Sequence, residues 1–346
     1  MKKILFAASE AVPFMKTGGL ADVTGSLPKY FDKKNYDVRV ILPKYVCMEE
    51  RWKGQLHFLC HFYVNLSWRK QYVGIFETTY DGITYYLVDN EFYFAGNAPY
   101  NNIYEDVEKF AFFSKAVLEA LPYLDFCPDI IHCHDWQTGL IPVYLKNEFQ
   151  ADSFYWGMKS IMTIHNLKFQ GVWDIKTMQG LTGFSASLFT PDKLEFKKDA
   201  NMLKGGLVYA DYITTVSDSY AQEIQTEYYG EGLNGLLSAR HFDMQGIVNG
   251  IDYQVYDPAA DTKIYTNYKP SDFRKKKYMN KVKLQAELGL AVDKKKYMIG
   301  LISRLTDQKG LDLVNYAIDR IVDDYTQLVV IGTGDPQYEN MFRHYA

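Results

Sequence analysis

The feature of this 346-residue chain that most restricts its fold is a regular alternation of short apolar runs with amphipathic stretches. Lys3–Ala8, Asp37–Leu42, Asp129–His134, Lys159–Ile164 and Tyr212–Val216 read as strands. Between them, apolar residues recur at helical spacing over about Leu20–Phe31, Glu105–Leu121, Gln137–Asn147 and Tyr220–Tyr228, the last with Ser217 as its N-cap. Parallel strands need a long crossover, usually a helix, so this order predicts an α/β fold built of βαβ units. A short strand at Gly246–Val248 ends in the turn Asn249-Gly250. Three β-rich runs between about Leu56 and Val88, around the turn Tyr80-Asp81-Gly82, predict an antiparallel insertion over about 55–90 beside the main sheet.

The pattern then breaks. Ile251–Ser271 carries Asp, Pro, Thr and Tyr without a period, and a second alternation follows: helix Phe273–Leu288, strand Tyr297–Ser303, helix Leu311–Asp323, strand Leu328–Ile331. The expected organisation is a doubly wound, Rossmann-like domain over 1–250, a linker over 251–272, and the start of a second such domain over 273–346. Two strands alone do not cover a doubly wound sheet, so the second domain is expected to be incomplete.

Charge narrows the partners. With 38 Lys+Arg against 42 Asp+Glu the net charge is −4, which offers no field for a nucleic-acid backbone. No run approaches a membrane span, and Glu10 cuts the apolar stretch at the N-terminus short, so that stretch reads as a buried strand. The four cysteines form no C-x-x-C pair and read as reduced thiols, which with the rest suggests the cytoplasm. The aromatic fraction, 16%, hints at sugar stacking and no more.

Four segments carry chemistry. Lys16-Thr17-Gly18-Gly19-Leu20 follows the first strand and opens a helix, where backbone N–H groups and a lysine favour an anion. It is neither a P-loop nor G-x-G-x-x-G, and an ordinary glycine turn is the competing reading. His132-Cys133-His134-Asp135-Trp136 ends a strand, where open α/β sheets bind ligands. His132 and His134 share a strand face, but a metal site would need more ligands and His165 is the one further candidate, whereas Asp135 suits a substrate hydroxyl as acceptor. His165, in Thr163-Ile164-His165-Asn166, ends another strand. In the second domain Arg304 and Lys309 flank a strand-to-helix loop and could clamp a diphosphate as it leaves, although a plain charged surface loop has the same composition. Cationic loops on two domains point to a site in the cleft between them. No D-x-D sequence and no G-x-S-x-G elbow occurs.

Taken in order, Ser9–Pro28 (SEAVPFMKTGGLADVTGSLP), His132–Pro142 (HCHDWQTGLIP), Thr163–Gly171 (TIHNLKFQG), Val248–Asp252 (VNGID), Ser303–Gly310 (SRLTDQKG) and Val330–Asp335 (VIGTGD) resemble the motif series of bacterial glycogen synthases and plant starch synthases. The resemblance covers essentially the whole chain. It implies a GT-B fold, two Rossmann-like domains facing a cleft, and a retaining glucosyltransferase. The implied reaction moves glucose from ADP-glucose to the non-reducing end of an α-1,4-glucan without a metal or other cofactor.

By the same resemblance, Lys16, Gly18 and Gly19 belong to the donor-phosphate loop, with Asp22 just behind it. Asp135 matches an aspartate associated with activity, His165 a histidine beside the donor sugar, and Asn249 a residue lining the cleft. Arg304 and Lys309 match the pair that neutralises the leaving diphosphate, and Tyr93 an aromatic near the substrate. The family's second domain continues further, with a glutamate segment on the donor sugar and loops that hold the base. The expected alternatives are therefore an active hexosyltransferase and a remnant that only binds glucan.

Overall fold

Strand β1 (Lys2–Ala7) shows how the first part of the molecule is built. Its alternate side chains, Ile4 and Phe6 on one side and Leu5 and Ala7 on the other, enter two separate apolar clusters. A strand buried on both faces has no polar side to show, so it appears in the sequence as an unbroken apolar run. The computed structural model describes residues 1–346, which divide by internal packing into two units, Met1–Gly250 and Ile251–Ala346.

In the first unit β1 is followed by β2 (Tyr36–Pro43), β3 (His57–Leu66), β4 (Arg69–Tyr80), β5 (Ile83–Asp89), β6 (Ile130–His134) and β7 (Lys159–Ile164). Then come β8 (Val172–Asp174), β9 (Glu195–Phe196), β10 (Asp199–Asn201), β11 (Tyr212–Thr215) and β12 (Met244–Gly246). Nine of these form one sheet of order β12-β11-β7-β6-β1-β2-β5-β4-β3. Pairing is parallel from β12 through to β5.

Residues 55–90 do not lie beside this sheet as the sequence suggests; they continue it. β5 pairs in parallel with β2, and only β4 and β3 run antiparallel. The reason lies in β5 itself, whose Tyr85 and Leu87 face one apolar cluster while Tyr86 and Val88 face the other, so the strand belongs in the sheet interior. The β4–β5 turn is as expected: Asp81 and Gly82 both take positive φ, 49° and 70°, the geometry that matches strand twist.

Helix Ile103–Tyr123 buries Phe110, Phe112, Phe113 and Val117 and is capped by Asn102, which accepts the Glu105 N–H at 3.1 Å. It runs through Pro122 instead of stopping before it. The missing proline N–H leaves the Leu118 carbonyl free, and the Tyr155 hydroxyl donates to it at 3.0 Å. The helix expected over Tyr220–Tyr228 is only Asp218–Glu223, because the Thr226 hydroxyl takes the Glu223 carbonyl at 2.7 Å. Over 171–211, where the sequence shows no clear period, β8, β10 and β9 form a small antiparallel sheet with helices Ile175–Thr182 and Met202–Tyr209.

The second unit carries no helix or strand before helix Phe273–Glu287. Its strands β13 (Tyr297–Ile302) and β14 (Thr326–Ile331) pair in parallel, joined by helix Leu311–Ile321 and followed by helix Pro336–Tyr345. No helix of the chain is long and apolar enough to cross a membrane.

Candidate active site

The order of the large sheet reverses at β1: the chain moves from β1 to β2 and β5 on one side, then to β6, β7, β11 and β12 on the other. Doubly wound sheets bind ligands at such a switch point, outside the carboxyl ends of the strands. Here the ends of β1, β6 and β7 are neighbours, with Ala7 level with Cys133 and His134 level with Thr163. The loops that leave these three ends carry most of the residues singled out in the sequence.

The first loop is held by Glu10, which is only 3% exposed. Its carboxylate accepts the Thr17 N–H, the Thr17 hydroxyl at 2.9 Å and the Tyr100 hydroxyl at 2.9 Å. A buried carboxylate is tolerated only when donors surround it, and these donors fix the loop just before Gly18. Lys16 pairs with Asp22 at 2.6 Å, on the first turn of helix Gly19–Ser26. Gly18 is extended, φ −160°, a conformation open to any residue, and a Cβ on Gly18 or Gly19 would meet no atom within 4 Å. Neither backbone strain nor packing asks for glycine there. What the pair leaves clear is the space in front of the helix N-terminus.

The second loop begins at Asp135, whose φ of 55° and ψ of −175° lie in a region that non-glycine residues rarely adopt. Its carboxylate accepts the backbone N–H of His165 at 2.7 Å and of Asn166 at 3.4 Å. Burial pushes the carboxyl pKa up to about 7, against the lowering effect of those two bonds.

The third loop begins at His165. Its Nε2 lies 3.0 Å from Nδ1 of fully buried His134, while His132 Nε2 bonds the Thr163 hydroxyl at 2.6 Å. Burial lowers the pKa of His132 to about 3 and of His165 to about 4, so all three rings, His134 included, are neutral at neutral pH. No three His, Cys, Asp or Glu side chains are grouped so as to hold a metal ion. The histidines bond to one another and to threonine instead.

Of the remaining candidates, Tyr93 donates its hydroxyl to Glu108 at 2.9 Å and stacks on Phe112, with Arg69 on the same carboxylate. The tyrosine that reaches the Lys16 loop is Tyr100. Asn249 is exposed, three residues beyond β12 near the end of the first unit. Arg304 and Lys309 are exposed in the second unit, between β13 and helix Leu311–Ile321. Sequence reading missed Glu10 and Tyr100, which hold the first loop, and weighed His134 only as a metal ligand, not as the partner of His165. The available signal was Glu10 itself, a charge at the end of a strand buried on both faces.

The family model described as the starch synthase catalytic domain matches residues 3–239. The chain belongs to this family. It is 62% identical to the glycogen synthase of Lachnospira eligens over 345 residues, covering 100% of this chain and 72% of that protein. The glycogen synthase of Lachnoclostridium phytofermentans is likewise 62% identical, with 72% of its length covered. Among solved structures, the catalytic domain of starch synthase IV from Arabidopsis thaliana, bound to ADP and acarbose, matches with a TM-score of 0.91 at 29% identity. That match covers 99% of this chain and 71% of the solved one. The fold class is thus GT-B, and the starch and glycogen synthase family to which the chain belongs consists of glycosyltransferases that act in glycogen and starch synthesis.

Proposed function

We propose that this family member transfers glucose from ADP-glucose to the non-reducing end of an α-1,4-glucan, with retention at the anomeric carbon and without a metal ion. The observation that carries the reading is the convergence of the open Lys16–Gly19 loop, Asp135 and His165 on three adjacent strand ends at the switch point. The ADP and acarbose held by the Arabidopsis thaliana enzyme support an adenosine diphosphate donor and a glucan acceptor.

In this reaction the C1–O bond to the diphosphate breaks, the acceptor 4-hydroxyl oxygen forms the new C1–O bond on the same face, and the hydroxyl proton passes to the departing phosphate oxygen. Lys16, oriented by Asp22, and the N–H groups at Gly18 and Gly19 hold donor phosphate. Arg304 and Lys309 neutralise the charge that appears on the departing ADP. His165 contacts the donor sugar, Asp135 accepts a hydrogen bond from a hydroxyl, and Asn249 lines the site.

The test is glucosyl transfer to glycogen by the 346-residue chain, with ADP-glucose and UDP-glucose in parallel, with and without EDTA. Transfer from ADP-glucose that survives EDTA is expected. Preference for UDP-glucose, or loss in EDTA restored by Mg²⁺, overturns the donor or the metal-free mechanism. Glucan binding without transfer would show that these residues only hold polymer.

A further inference from the structure

His134 contacts no open surface, yet its bonding decides what His165 offers to a ligand. The His134 ring is fully buried and stacks on Phe6 (centroids 5.4 Å apart, planes 24° apart) and on His132 (4.2 Å, 29°). With planes so nearly parallel, its in-plane nitrogens point at neither ring's face. Nδ1 lies 3.0 Å from His165 Nε2, and Nε2 is buried with no partner in the protein.

A neutral imidazole carries one N–H and one bare nitrogen, so the bond between the rings has two possible directions. If His165 donates from Nε2, His134 must carry its hydrogen on its own Nε2, as a buried N–H without an acceptor. If His134 donates from Nδ1, the atom left unpaired is a bare lone pair. Orphaned buried N–H groups are rarer in proteins than under-bonded acceptors, and we take the same order for the ring nitrogens. The second direction wins. His165 then accepts at Nε2 and must hold its hydrogen on Nδ1, which has no hydrogen bond within the protein. Burial keeps His134 and His165 in their neutral forms, so no second proton blurs the choice.

We propose that His134 is a positioning residue that locks His165 as the Nδ1–H tautomer, so that His165 presents a hydrogen-bond donor to its ligand. The group it recognises is an oxygen with a free lone pair, either a sugar hydroxyl or a phosphate oxygen. The catalytic consequence rests on the reading that His165 faces the donor substrate; the tautomer does not.

The experiment labels the histidines of the whole chain with ¹⁵N and reads long-range ¹H–¹⁵N correlations near neutral pH, with His165→Gln to assign the signals. The expected result is a protonated Nδ1 and a bare Nε2 on His165. A protonated His165 Nε2, or a protonated His134 Nε2, overturns the proposal. His134→Asn, whose amide N–H replaces Nδ1–H, keeps the tautomer; His134→Asp, an acceptor, inverts it. Addition of ADP alone moves the His165 Nδ1 signal if the recognised oxygen is on phosphate, and only ADP-glucose moves it if the oxygen is on the sugar. In the transfer assay His134→Asn retains kcat within about threefold, while His134→Asp lowers it by about tenfold or more with the KM for glucan unchanged, as expected for one mis-set hydrogen bond. Equal activity of the two variants overturns the claim that the ligand reads the Nδ1–H donor, whatever tautomer the spectra show. A wild-type chain without transfer would sink the proposed reaction, and the tautomer would still be decided by the spectra.

Discussion

The carboxylate of Asp135 accepts the backbone N–H of His165 at 2.7 Å, and this bond fastens the mouth of β6 to the mouth of β7. It joins a residue in a strained backbone conformation to the histidine whose ring is in turn held by His134. Strain of this kind costs about 1–3 kcal/mol and persists where the surroundings over-determine it, which is typical of functional sites.

Because burial pushes the Asp135 carboxyl to about pH 7, its charged form, the better acceptor, is populated only above that value. Glucosyl transfer is therefore expected to rise with pH through about 7 and then level off. Asp135→Asn should lose the inflection along with most of the activity. The check is kcat/KM for the donor across that range in both proteins; an unchanged inflection in the variant assigns it to another group.

Stability should respond to pH through two opposing effects. His132 and His165 titrate near 3 and 4 in the fold but near 6.5 when unfolded, so their contribution is present above about 6.5 and lost as pH falls. Asp135 titrates near 7 in the fold and 3.8 when unfolded, so its contribution is present below about 3.8 and lost as pH rises to about 7. Asp135→Asn removes only the second effect. Its Tm should climb more steeply between pH 4 and 7 than that of wild type, as scanning calorimetry can show; a shallower climb contradicts the assignment.

Glu10→Gln can keep an oxygen on the Thr17 N–H, but its amide N–H₂ then faces the Thr17 and Tyr100 hydroxyls, which must turn from donors into acceptors, and the charge that strengthened all three bonds is gone. A loss of roughly 1–3 kcal/mol in stability is expected. The loop would loosen, raising the KM for ADP-glucose about tenfold while leaving the KM for glucan alone. Equal effects on both substrates would mean that Glu10 supports the fold generally and not the donor loop.

Lys16→Ala and Arg304→Ala should each cost on the order of 3 kcal/mol in transition-state stabilisation, read as the drop in kcat/KM for the donor. Activity within about twofold of wild type in both would remove these residues from the diphosphate site.

The sequence by itself determined the βαβ alternation, the break after residue 250, and the placement of the Lys16 loop, Asp135 and His165 at strand ends. Each of these is a local signal: an apolar run long enough for one strand, a helical period, a polar residue where the run stops. The tertiary structure alone decided that β5 joins the sheet in parallel, since pairing depends on which faces find apolar partners. It alone brought Tyr100 to Glu10 across 90 residues and His134 to His165 across 31. Nothing in a short window of sequence distinguishes His134 from His165, each a histidine at the end of an apolar run. Only the fold, by burying the first ring completely and leaving the second partly open, makes them different.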